Sequence, residues 1–162
     1  MPSAREMIER LDKFAEEIFL EKGEVPPVWF AEAGNGQCGL IPALTDDKDL
    51  QMVFIRKIFA AMEVKRYAYM AEAWTLSEKV DPATTTEFLR ERPEQRSIAD
   101  HADREEVVIY TGEDENGFIL ARRDILRPTG ATASLAPLVW DDKVDHMEGR
   151  MVGLLPKTGK AN

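Results

Sequence analysis

The chain has 162 residues and a formal net charge of -9, with 21 Lys and Arg against 30 Asp and Glu. One compact domain of this size buries about two thirds of its unfolded surface, and so acidic a surface repels phosphates, which excludes general nucleic-acid binding. The single Cys38 excludes an internal disulfide and suits a reducing compartment; no stretch approaches the roughly 18 apolar residues of a membrane span, and the amino end lacks the apolar core of a signal peptide, so a cytoplasmic protein is expected.

Ser3-Ala4-Arg5-Glu6 has the form of a capping box, and Met7, Leu11, Phe14 and Ile18 follow at helical spacing. A first helix is expected from about residue 3 to Lys22, ended by Gly23. Pro26-Pro27 then forces extended backbone. Two short apolar runs around Gly34-Asn35-Gly36 predict a hairpin. Thr45-Asp46-Asp47 supplies an N-cap and an acidic first turn for a second helix, about Asp46 to Glu63. Leu50, Val53, Phe54 and Ile58 should lie on its apolar stripe, with Lys48, Asp49, Gln51, Arg56 and Lys57 exposed.

Arg66 to Leu76 alternates between two faces and predicts a central strand carrying Glu72 between Met70 and Trp74. A carboxylate on an apolar face needs a partner, and Arg122 or Arg123 is the expected one. From Ser77 to Asp103 the apolar content collapses, which predicts a long loop with one or two helical turns near Thr86 to Arg92. Loops of that length in a compact domain usually bind something or move. Val107 to Thr111 and Phe118 to Leu126 alternate on either side of Gly112 to Gly117, predicting the main antiparallel hairpin. Ala133 to Trp140 should be an edge strand, because Pro137 cannot donate to a ladder. Arg150 to Leu155 is expected to add a last short strand, and 157–162 a frayed tail. Together these elements predict a single α+β domain over 1–156, with a mostly antiparallel sheet of about five to seven strands and two main helices packed on one face.

No catalytic signature stands out. His101 and His146 have no metal-ligand spacing, and Ser3, Ser77, Ser97 and Ser134 lack a nucleophile elbow. Cys38 is expected to be a small buried thiol. Glu63-Val64-Lys65 matches the letters of a nuclease E-x-K, but at a helix end rather than on a strand. Neither a metal nor a cofactor is implied. Between Arg90 and Arg127 lie seven Arg and no Lys, alongside ten Asp and Glu, so internal ion pairs compete with a site that grips an anion. Strand alternation could gather Glu72, Arg104, Glu105, Glu106, Arg122, Arg123 and Asp124 on one face. The acidic tip Glu113-Asp114-Glu115 could engage a basic partner or simply be solvated.

Glu72-Ala73-Trp74, Arg92-Pro93, Asp103-Arg104-Glu105-Glu106-Val107, Gly112-Glu113-Asp114 with Gly117, Gly149-Arg150 and Gly153-Leu154-Leu155-Pro156 together resemble small uncharacterised proteins encoded in bacterial and phage genomes, over residues 66–156. The resemblance implies a mobile-element accessory or inhibitor protein and carries no activity with it. The leading expectation is a non-enzymatic binding module that meets a protein partner through the 82–104 loop, with Arg92, Arg96 and Arg104 as contacts beside Glu72, Arg122 and Arg123. The alternative is a small enzyme or ligand-binding protein that takes a phosphorylated, nucleotide or other small anionic ligand at Glu72 and the nearby arginines.

Overall fold

The computed structural model describes residues 2–76, 104–141 and 154–156, with backbone alone for 74–76 and 104. Two helices, α1 (Ala4–Lys22) and α2 (Lys48–Met62), accompany seven strands: β1 (Val28–Glu32), β2 (Cys38–Pro42), β3 (Arg66–Leu76), β4 (Arg104–Asp114), β5 (Gly117–Leu126), β6 (Ser134–Leu135) and β7 (Val139–Asp141). They form one open antiparallel sheet in the order β2-β1-β3-β4-β5-β6, with β7 also pairing β5. The architecture is the expected α+β one.

Both helices begin and end as their sequences demand. The Ser3 hydroxyl accepts the Glu6 N–H, and the N–H of Gly23 bonds Phe19 O to close α1. At α2 the Asp47 carboxylate accepts from the N–H groups of Asp49 and Leu50 at 3.0 and 3.1 Å, so the helix begins at Lys48, two residues later than expected.

The helices do not share a face. Met7, Ile8, Leu11, Ala15 and Phe19 of α1 pack on Ala68, Met70, Val108, Tyr110 and Ala121, whereas Met52, Ile55 and Phe59 of α2 pack on Trp29, Ala31 and Tyr67. Successive strand residues point to opposite sides, so α1 and α2 lie on opposite faces of the sheet. The cause is local: Val28 and Phe30 alternate with Trp29 and Ala31, and Ala68 and Met70 with Tyr67 and Tyr69, so the middle strands are apolar on both sides and need two covers. Each side chain sealed in this way contributes about 1.5–3 kcal/mol.

Two glycines set how closely the layers meet. A Cβ on Gly112 would lie 3.2 Å from the Ala4 Cβ and 3.3 Å from the Ile8 Cδ1, so α1 rests directly on β4 there. A Cβ on Gly34 would lie 3.0 Å from the Glu63 Cβ; at this point the β1–β2 tip is hydrogen-bonded to the end of α2, Gly34 N–H to Met62 O at 3.0 Å.

Other expectations need correction. Gln51 is buried, because its side-chain oxygen accepts the N–H groups of Leu44 and Thr45 at 2.7 and 3.1 Å, while Leu50 and Val53 are exposed. Cys38 is exposed on the edge strand β2. Within the main hairpin the strands run on to Asp114 and Gly117, because Glu113 accepts the Tyr67 hydroxyl at 3.0 Å and Asp114 accepts the Ala4 N–H at 2.8 Å. The edge strand at 133–140 is split around Pro137 into β6 and β7. Of the short strand expected from Arg150 to Leu155, residues 150–153 lie outside the described residues, and Leu154 and Leu155 are not in a strand but pack on the α2 side.

Candidate functional site

β1 pairs with β3 from Glu32↔Arg66 as far as Val28↔Met70. The chain before Val28 carries Pro26-Pro27 and leaves the sheet, so beyond Met70 no described strand covers that edge of β3. Further along α2's face of the sheet, side chains shrink to Ala71 and Ala73. The result is a hollow of about 650 Å³ between β3 and the amino end of α2. Tyr69, Ala71, Ala73 and Ile109 line it from the sheet; Pro27, Trp29, Ala43 and Met52 line its sides; Thr45, Asp46, Lys48 and Glu72 border it.

The hollow is mostly apolar but contains unused hydrogen-bonding groups. Trp29 is 1% exposed and Gln51 5%, and among the described residues neither the indole Nε1 nor the amide Nε2 has a partner. The Trp29 ring lies against Tyr69, with centroids 4.5 Å apart and planes tilted by 32°. Burial pushes the Tyr69 hydroxyl up to about 12, so it stays a neutral donor over the physiological range. Asp46 and Lys48 put one charge of each sign on its border, and Glu72 reaches the rim from the opposite face of β3.

The expected grouping of charged residues is divided by strand alternation. Glu72 and Arg123 flank Val108 on the α1 side, whereas Arg122 pairs with Ile109 on the other. Glu105 and Asp124 share the face of Arg122, and Glu106 shares that of Arg123. Glu72 is exposed, and its Oε1 accepts the Val25 N–H at 2.9 Å instead of meeting either arginine.

Arg123 belongs to a structural network under α1. Its Nη1 donates to Glu16 at 2.7 Å and Asp12 at 3.0 Å, its Nε to Ala136 O at 2.7 Å, and the Tyr110 hydroxyl donates to the same Asp12 oxygen at 2.7 Å. Burial alone would weaken its charge, but the hydrogen bonds to Glu16 and Asp12 outweigh that and raise its pKa. Tyr110 is also raised, by burial first and then by Asp12. Arg127 pairs with Glu106, and Arg66 with Glu32 at 2.9 Å and Glu115 at 3.4 Å. The tip carboxylates Glu113, Asp114 and Glu115 are therefore all engaged within the chain.

Arg92, Arg96 and the rest of the expected 82–103 contact loop lie outside the described residues, as do both histidines, and of Arg104 only the backbone is placed, in β4. Sequence reasoning missed the hollow. The available signals were the small residues Ala71 and Ala73 in an otherwise aromatic strand, beside a Pro-Pro pair that ends the neighbouring strand.

Among the described residues no group of three or more His, Cys, Asp or Glu could hold a metal ion, and no helix is long and apolar enough to cross a membrane. Comparison with protein-family models, curated proteins and solved structures finds no match to this chain.

Proposed function

We propose that this protein is a binding module whose ligand is a small, mostly apolar molecule held in the hollow between α2 and β3. One observation carries the reading: an apolar recess of about 650 Å³ opens beside the sheet, within the size range of small-molecule sites. Its charges favour an uncharged ligand over a phosphorylated one, since Asp46 offsets Lys48 at its border and a net charge of -9 repels anions at longer range. The Glu72–arginine pair on which a phosphate-directed enzyme would rely is absent among the described residues, because Arg123 is spent on α1 and Arg122 lies on the other face.

Thermal unfolding with a neutral naphthalene-type probe tests the reading. A ligand that binds only the folded form raises the melting temperature. The wild type should show a concentration-dependent rise, and Ala71→Phe, which fills the floor, should show none. An equal rise in both proteins, or no rise in either, contradicts the proposal.

A further inference from the structure

From the proposed binding reading, on which this step rests, we infer that the ligand is a flat, uncharged aromatic compound bearing a carbonyl-type acceptor, met by the Trp29 indole N–H and the Gln51 amide N–H. Flatness follows from the walls. Ala71 and Ala73 leave a low floor along β3, and the tilted Trp29–Tyr69 pair offers an aromatic side.

The acceptor follows from hydrogen-bond accounting. Buried polar groups in folded proteins are nearly always paired. Here two side chains bordering one apolar hollow each keep an N–H donor shut off from water and, among the described residues, from partners. Leaving a buried donor unmade is costly, and an oxygen brought in by a ligand removes that cost. An anionic oxygen would also satisfy the donors, but it would enter beside Asp46 in a chain of net charge -9.

Trp29 and Gln51 line the hollow, but their two nitrogens are closed off from water, so the wall shifts outward when the acceptor arrives. The segment at residues 43–46 is suited to that movement. It is tied to its surroundings by the Gln51 side-chain oxygen, through Leu44 and Thr45, and by a long Ala43 N–H to Pro27 O bond of 3.3 Å. Gln51 thus holds the wall with its oxygen and keeps its nitrogen for the ligand.

Three probes of similar size separate the possibilities in equilibrium dialysis with the full chain: acetonaphthone, a neutral ketone; isopropylnaphthalene, its hydrocarbon counterpart; and naphthoate, an anion. The ketone should bind about tenfold more tightly than the hydrocarbon, the effect of a well-made hydrogen bond to a buried donor, and naphthoate should bind more weakly than the ketone. Trp29→Phe keeps a ring and drops the N–H; Gln51→Glu keeps the oxygen that ties Leu44 and Thr45 and drops the amide donor. Each should lower ketone affinity several-fold and leave the hydrocarbon nearly unchanged. If either variant fails to fold, the wild-type indole N–H resonance of Trp29 decides, since it should move with the ketone and stay put with the hydrocarbon. Equal binding of ketone and hydrocarbon, with a stationary indole resonance, overturns the donor inference while leaving the hollow as a binding site. Binding of none of the three overturns both.

Discussion

The two faces of the sheet solve the burial of polar groups in opposite ways. Under α1, Arg123, Asp12, Glu16 and Tyr110 satisfy one another in a closed network over a tightly packed core. Under α2, Trp29 and Gln51 keep unused donors beside an open hollow. A satisfied network fixes structure, and an unsatisfied one beside empty space is where a partner molecule gains most. The arginines that look most functional in the sequence thus belong to the structural face, and the candidate site is on the other.

The largest effect should come from breaking the closed face. Arg123→Ala takes the cation from beside Asp12, leaving it the Tyr110 hydroxyl, and should cost about 3–5 kcal/mol in chemical denaturation. A loss below about 1 kcal/mol would mean that the network is only a surface pair. Matched truncations sharpen the contrast: Leu11→Ala, in the sealed core, should cost about 4 kcal/mol, and Met52→Ala, which already borders empty space, about 2 kcal/mol. Equal losses would erase the difference between the faces.

The tyrosines give a pH signature that spans both faces. All three in the chain, Tyr67, Tyr69 and Tyr110, have raised pKa values, with burial as the first cause in each case. The unfolded chain ionises its tyrosines near pH ~10 and the native one does so later, so between those values the native state holds more protons and its stability falls as pH rises. Stability from this source should be intact below about pH 10. Phenolate absorbance of the native protein should stay flat through that pH, with Tyr69 appearing only near about 12. A full-amplitude titration near the ordinary value in folded protein would contradict the burial of all three. The smallest effect belongs to the exterior of the closed face: Arg5 sits 4.2 Å over the Trp140 ring, and Arg5→Ala should cost only about 0.5–1 kcal/mol.

Periodicity made most of the framework readable. Capping residues marked both helices, and alternation marked β3 to the residue and the core of the β4–β5 hairpin, though not how far its strands run towards the turn. The side on which each helix packs was also present in the sequence, in the apolar character of both faces of Trp29–Ala31 and Tyr67–Met70, but it is visible only once the strands are seen as central. The burial of Gln51 was not readable, because a polar residue on a helix looks solvated until the loop whose N–H groups it accepts is in place. The hollow was hidden for a similar reason: an absence of bulk at Ala71 and Ala73 has no pattern of its own and becomes a site only when the end of β1 leaves the edge beside it open.

A map of backbone-amide resonance shifts on titration with acetonaphthone tests the central claim most directly. The account predicts shifts concentrated at Tyr69, Ala71, Ala73 and Ile109, together with Leu44 and Thr45 across the hollow, and none around Asp12, Tyr110 and Arg123. Shifts gathered on the α1 face instead, or an unchanged spectrum at saturating probe, would contradict it.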